Sequence, residues 1–201
     1  MKIINKIIVG THNNEKFKEI CDLLPKNTIK LSPQTLNLPS PRETGNTFEE
    51  NSKIKAKYFS KKTNIITISD DSGLIIDILS GAPGIYSSRW AGSTNDFNIA
   101  IAKVYSELKK IKFKWNKGKK VTARFVSCLT LYWPDGKLIS STGIVEGKIS
   151  EAKKGSNGFG YDPIFIPSGY KKTFGELEKK EKYKIDHRSK AFLKISKLFI
   201  G

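Results

Sequence analysis

Two adjacent carboxylates, Asp70 and Asp71, follow the apolar run Ile65–Ser69 in the stretch Ile-Ile-Thr-Ile-Ser-Asp-Asp-Ser-Gly. Inside a strand such a pair would be expensive to bury unpaired, whereas at a strand's exit it can face a cleft. Two carboxylates at that place suit a hard cation such as Mg²⁺, or one carboxylate suits taking a proton from water. The residues alone equally allow a plain Asp-Asp-Ser-Gly turn.

Other groups with chemical potential are spread along the chain. Gly10, Thr11, His12 and Asn13 lead from a strand-like run into a helix-like one, with Lys16 in its first turn. Free backbone N–H groups at a helix start favour an anion, and the helix dipole adds to this. Glu43 stands just before a second helix that carries Lys55, so it can join a metal site while Lys55 binds phosphate. Phe159 lies between glycines in Gly-Ser-Asn-Gly-Phe-Gly-Tyr-Asp-Pro, where an exposed ring can stack on a nucleobase. Lys182, His187 and Arg188 cluster near the start of the last helix, and the latter two can donate hydrogen bonds to carbonyl oxygens. Each of these groups also has a plain structural reading, as a helix cap, a solvated charge or a packed loop aromatic.

The elements that must position these groups follow from periodicity. Ile3–Val9 reads as a buried first strand. Phe17, Ile20, Cys21 and Leu24 form the apolar stripe of a helix that Asn13 or Asn14 caps and Pro25 closes. Asn27–Arg42 reads as an irregular, proline-bearing loop with a short strand. Thr-Phe-Glu-Glu at Thr47–Glu50 is a capping box, opening a helix that runs to about Lys61. Ile65–Ser69 is the second central strand, and a separate short strand lies near Leu74–Ile78. Asn95–Lys110 is a third helix. Val121–Trp133 and Lys137–Ser150 form a long hairpin around Pro-Asp-Gly. Helices are expected at Phe174–Tyr183 and Arg188–Phe199. Strand–helix units at both ends of a long antiparallel hairpin predict an α/β fold with a mixed central sheet flanked by helices, in two lobes around an active-site cleft. Residues 1–201 read as a single domain.

The chain has 201 residues, 38% of them hydrophobic, enough for a well-cored domain. No stretch is long and apolar enough to span a bilayer, and no signal-peptide pattern opens the chain. Cys21 and Cys128 form neither a disulfide framework nor a metal cluster, so a reduced cytoplasmic protein is expected. The formal net charge is +17, but only four of the 36 basic residues are arginines. Base readers lean on bidentate arginine, and the dispersed lysines read as a solvated surface without a specific nucleic-acid footprint. A non-catalytic, basic nucleic-acid-binding module remains the alternative from another functional class. It requires steeply salt-dependent binding, and the acids at Glu43, Asp70 and Asp71 argue against it.

Taken in order, Thr-x-Asn-x-x-Lys, Glu-Thr-Gly-x-Thr-Phe-x-Glu-Asn-x-x-x-Lys-Ala, Ser-Asp-Asp-Ser-Gly-Leu, Gly-Ala-Pro-Gly-Ile-Tyr-Ser, Gly-Phe-Gly-Tyr-Asp-Pro and His-Arg resemble the inosine/xanthosine triphosphate pyrophosphatase family. The resemblance covers nearly the whole chain. It implies hydrolysis of ITP, dITP and XTP to the monophosphate and pyrophosphate with Mg²⁺, by a homodimer. Other modified nucleotides are the alternative substrates. By the same resemblance, Thr11, Asn13 and Lys16, with His12, Asn14 and Glu15 between them and Lys55 as helper, bind substrate phosphates. Glu43 and Asp71 are the metal-linked acids, with Asp70 close by, and Asp71 accepts the proton of the attacking water. Ser72 contacts substrate. Phe159, Gly160, Tyr161 and Asp162 form the base-side loop, while Lys182, His187 and Arg188 form the other wall of the base pocket. Two positions depart from the family pattern. His12 replaces the usual glycine of the first turn, and Asp186 replaces the usual serine before His-Arg.

Overall fold

The computed structural model describes residues 4–114 and 119–199. Ile3, where the sequence places the start of the first strand, lies outside them. The elements are β1 (Lys6–Val9), α1 (Asn14–Leu23), β2 (Ile29–Leu31), α2 (Phe48–Thr63), β3 (Thr67–Ile76) and α3 (Phe97–Lys110). They continue with β4 (Val121–Tyr132), β5 (Leu138–Ile149), β6 (Phe165–Pro167), α4 (Lys179–Tyr183) and α5 (His187–Ile195). The strands form one sheet in the order β2-β1-β3-β4-β5-β6. β1 runs parallel to β2 and β3, and β5 antiparallel to β6, so the sheet is mixed, as the strand–helix pattern implies.

Local signals account for most of the boundaries. Asn13 Oδ1 accepts the Lys16 amide and starts α1, and Leu24 leaves the helix in an extended conformation before Pro25. At α2 the Thr47 side chain accepts the Glu50 amide at 3.1 Å. The reciprocal half of the expected capping box is displaced by one residue: Glu50 Oε2 takes the Asn46 amide at 2.7 Å. Asn64, at φ 55°, closes the helix in the left-handed region. The expected helix Phe174–Tyr183 is broken instead. Thr173 and Glu176 cap a single 3₁₀ turn over Phe174–Glu176, and the buried Leu177 is extended before α4 begins.

The main departure from the sequence reading is β3. Two strands separated by an acidic turn were expected; one ten-residue strand runs through both aspartates. Asp70 and Asp71 are therefore mid-strand and buried, at 0% and 6% exposure. Turn-favouring residue types were overridden because both acids have cationic partners inside the fold, which removes the cost that placed them at an exit.

Of the described residues, 4–71, 127–143 and 187–199 form one compact unit, and 72–114, 119–126 and 144–186 form a second. Each has its own core. In the first, Ile7, Val9 and Ile68 of the sheet pack with Ile20 and Leu24 of α1 and with Phe192 and Ile195 around α5. Burial of each such side chain is worth about 1.5–3 kcal/mol. In the second, Leu74, Ile76 and Phe125 pack with Val104 and Leu108 of α3, and Phe125 meets Phe165 edge-on at 4.7 Å. Ser141 Oγ holds the Ala191 carbonyl at 2.9 Å. A Cβ at Gly143 would overlap the His187 carbonyl and the Ala191 amide, so α5 rests directly on β5 backbone. No helix among the described residues is long and apolar enough to cross a membrane.

Candidate active site

Successive strand residues face opposite sides of a sheet, so Asp70 and Asp71 cannot point the same way. Ile68 and Asp70 share one face. Ile68 packs in the core with Ile20 of α1 and Phe192 of α5, and Asp70 meets side chains of the same two helices. Thr67, Ser69 and Asp71 share the other face, against Phe59 and Lys55 of α2.

Asp70 is held on several sides. Lys16 Nζ lies 3.0 Å and Arg188 Nη2 3.3 Å from its Oδ2, and Ser127 Oγ donates to Oδ1 at 2.5 Å. Burial alone would raise its pKa. The Arg188 guanidinium, the Lys16 ammonium and the Ser127 hydroxyl outweigh burial and hold it well below the usual carboxylate range. Arg188 is itself buried, with Nη1 on Glu19 of α1. Arg188 was expected on the base side; the structure turns its guanidinium onto Asp70 and Glu19.

Asp71 is placed differently. Its Oδ1 accepts Lys55 Nζ at 2.9 Å, and Lys55 also reaches Glu43 Oε1 at 2.5 Å. Its Oδ2 is buried without a hydrogen-bond partner among the described residues. Burial raises the Asp71 pKa, and the nearby Glu43 charge adds to this against the lowering effects of Lys55 and Lys16. For Lys55, burial favours the neutral amine, but Asp71 and Glu43 overcome it and raise its pKa. One carboxylate is thus fixed as an anion, and its neighbour keeps an unused basic oxygen.

The Glu43–Lys55–Asp71 bridge is where the expected metal pair can be tested. A buried ammonium already links Asp71 Oδ1 and Glu43 Oε1, so the place between those two oxygens favours a cation. Among the described residues no three His, Cys, Asp or Glu side chains group to hold an ion. Two carboxylates are nonetheless the usual protein share for Mg²⁺ when substrate phosphates supply the other oxygens. The donor set fits such an ion.

The first turn has the form of an anion cradle. Thr11 Oγ1 accepts the Asn13 amide at 3.1 Å and Asn13 Oδ1 accepts the Lys16 amide at 2.9 Å. The intervening amides of Asn14 and Glu15 belong to the first turn of α1, where a helix leaves N–H groups without intrahelical acceptors. The His12 side chain is directed elsewhere, with Nε2 donating to the Leu38 carbonyl at 2.9 Å. His187 is buried at the start of α5.

In the second unit, Phe159 and Asp162 are joined by a hydrogen bond from the Phe159 amide to Asp162 Oδ2 at 2.9 Å. Lys182 Nζ lies 2.7 Å from the same oxygen and 5.3 Å from the Phe159 ring centre. The phenol of Tyr161 donates to the Ser87 carbonyl at 2.9 Å, and burial raises its pKa. Gly160, at φ 68°, occupies the left-handed region between Phe159 and Tyr161. Ser72 is half-buried in β3, directly after Asp71.

Sequence reasoning missed Glu19 and Ser127. Glu19 reads as a helix-surface charge beside an apolar stripe and carries no signal of its own. Ser127 did leave one: a small hydroxyl within the run Phe125–Tyr132, which is otherwise largely apolar, marks a buried polar partner.

A family model described as the Ham1 family matches residues 7–198. The chain is 44% identical over 200 residues to the dITP/XTP pyrophosphatase of Agrobacterium fabrum, covering 94% of this chain and 92% of that protein. It is 38% identical over 208 residues to the dITP/XTP pyrophosphatase of Rhodopseudomonas palustris, covering 100% and 98%. Among solved structures, a HAM1 protein from Coxiella burnetii superposes with a TM-score of 0.83 at 34% identity, over 96% of this chain and 97% of that one. With sequence, fold and ordered motifs in agreement along nearly its whole length, the chain belongs to the Ham1 family.

Proposed function

We propose that this protein hydrolyses non-standard purine nucleoside triphosphates (ITP, dITP and XTP) to the monophosphate and pyrophosphate, removing them from the nucleotide pool. Curated relatives near 40% identity bear the dITP/XTP pyrophosphatase name. The observation that carries the mechanism is Asp71, a buried carboxylate with one oxygen on Lys55 and the other unused. A base of this kind takes a proton from water as its oxygen attacks the α-phosphorus. The bond from that phosphorus to the α,β-bridging oxygen breaks, and pyrophosphate leaves with the electron pair.

The first turn, with Thr11, Asn13, Lys16 and the amides of Asn14 and Glu15, binds phosphate oxygens. His12 contributes to this turn through its backbone. Glu43 and Asp71 would hold a divalent ion such as Mg²⁺, which when bound would supply neutralisation of phosphate charge and polarisation of a phosphoryl oxygen. Lys55 keeps the two acids together and would be available to phosphate were a divalent ion to neutralise them. Ser72 contacts substrate. In the second unit Phe159 stacks on the purine, in a loop that Gly160, Tyr161, Asp162 and Lys182 hold. By the family resemblance His187 also serves base recognition, while Arg188, engaged by Glu19 and Asp70, holds the start of α5 that carries it. Hypoxanthine and xanthine present an acceptor at C6 where adenine presents a donor, so donors directed there reject adenine by leaving a buried mismatch. A single working domain, a homodimer and a cytoplasmic location belong to this reading and rest on the family resemblance.

Product identity tests it. ITP and Mg²⁺ should yield IMP and pyrophosphate, so phosphate is detected only after inorganic pyrophosphatase is added. Direct release of orthophosphate would refute the reaction class.

A further inference from the structure

His12 stands in the phosphate turn, yet its imidazole faces away from the role its position suggests. Nε2 lies 2.9 Å from the Leu38 carbonyl, which can only accept, so this nitrogen carries the proton. In return, Gln34 Nε2 donates to the His12 carbonyl at 3.1 Å. The segment so gripped is a tight turn with its own hydrogen bonds, Asn37 to Gln34 at 3.1 Å and Leu38 to Pro33 at 3.0 Å. Behind it, the His12 ring packs 5.9 Å from that of Phe59 on α2. The next residues are Pro39-Ser40-Pro41-Arg42-Glu43. The two prolines fix φ and lack amide donors, so this stretch behaves as a short stiff spacer. Its far end is the Glu43 carboxylate on Lys55, 2.5 Å away.

We propose that His12 is a positioning residue: its imidazole latches the turn at Gln34–Leu38 to the phosphate turn, and the proline spacer transmits this anchoring to Glu43. A side chain on the phosphate turn thereby fixes the acid of the metal pair that comes from a loop. The metal half of this inference rests on Glu43 being a metal-side acid, as proposed above; the latch itself does not.

Three substitutions separate the latch from a generic packing role. Gln can place an amide donor near the position of Nε2, Asn can reproduce only the Nδ1 position, and Ala reproduces neither. Deuterium exchange should therefore be roughly three- to tenfold faster at the amides of residues 34–38 in His12→Ala and His12→Asn, since one hydrogen bond is lost. His12→Gln should exchange like the unmodified protein. Gln34→Ala should speed exchange at residues 34–38 with the imidazole intact. Mn²⁺ titrated into the protein and followed by the free-ion electron paramagnetic resonance signal should bind more weakly to His12→Ala by a similar factor, with recovery in His12→Gln. Unchanged exchange in His12→Ala, or recovery by Asn and not Gln, overturns the latch. Faster exchange with unchanged Mn²⁺ affinity overturns the coupling to Glu43. If the unmodified protein binds no Mn²⁺, the metal reading of Glu43 fails and the coupling falls with it, while the exchange result still decides the latch.

Discussion

Neutralising the two adjacent aspartates should move stability in opposite directions. Asp70→Asn keeps side-chain volume but removes the charge facing Lys16 at 3.0 Å and Arg188 at 3.3 Å. Removing one partner of a buried ion pair costs about 3–5 kcal/mol, because the other charge stays buried. Here Arg188 retains Glu19, and the Lys16 side chain is 15% exposed, which places the loss near the lower end. For a chain of about this length, roughly 3 kcal/mol corresponds to a fall in Tm of about 6–12 °C. Asp71→Asn removes a charge that burial works against, as its raised pKa records. It should leave Tm unchanged or raise it, while abolishing most turnover. The linkage signs agree. The stabilisation from Asp70, whose folded pKa is depressed, is complete above its ordinary value of 3.8 and is lost as pH falls through the folded value. Ionised Asp71, whose folded pKa is raised, costs stability as pH rises through its folded value. The assay is thermal unfolding at neutral pH with a chelator present, so that ion binding to the native state does not contribute. Equal losses in both variants, or an unaffected Asp70→Asn, would refute this division of labour.

Two further outcomes follow from the same geometry. Asp71 must be ionised to act, so the acid limb of kcat/KM should lie above 3.8, and Lys55→Met should shift it to higher pH by removing a neighbour that lowers the Asp71 pKa; a limb that stays in place would detach Asp71 from proton transfer. Phe159→Ala should raise KM for ITP roughly 5- to 150-fold with kcat nearly kept, since stacking on a base is worth about 1–3 kcal/mol; unchanged KM would remove Phe159 from base binding.

Periodic elements were the most legible part of the sequence. The stripe Phe17–Leu24, the cap at Asn13, the stop at Pro25 and the hairpin around Pro134–Gly136 each depend on neighbours in sequence, and each is found where those neighbours place it. β3 was not legible as one strand, because the residues that license it are distant. Lys16, Lys55, Ser127 and Arg188 neutralise or hydrogen-bond the two acids from three helices and another strand. Local turn propensity in Asp-Asp-Ser-Gly pointed the other way. His12 shows the same limit: its departure from the family glycine was visible, but its partner is a backbone carbonyl 26 positions away.

The continuity of β3 also explains why two acids stand side by side without forming one chelating pair. A strand sends neighbouring side chains to opposite faces, so the pair is divided by construction. Asp70 goes to the face of α1 and α5 and neutralises Lys16 and Arg188 there; Asp71 goes to the face of α2, where Lys55 and Glu43 wait. Any metal partner for Asp71 must therefore come from the α2 side, and Glu43, five residues before that helix, meets the requirement. A one-residue slip in register would exchange the two faces. It would put the residue now at the Asp70 position beside Lys55 and Glu43, where the proposed base stands, and take the carboxylate of Asp70 away from Arg188. The cationic partners on the two faces thus help specify the register of this strand alongside its apolar residues.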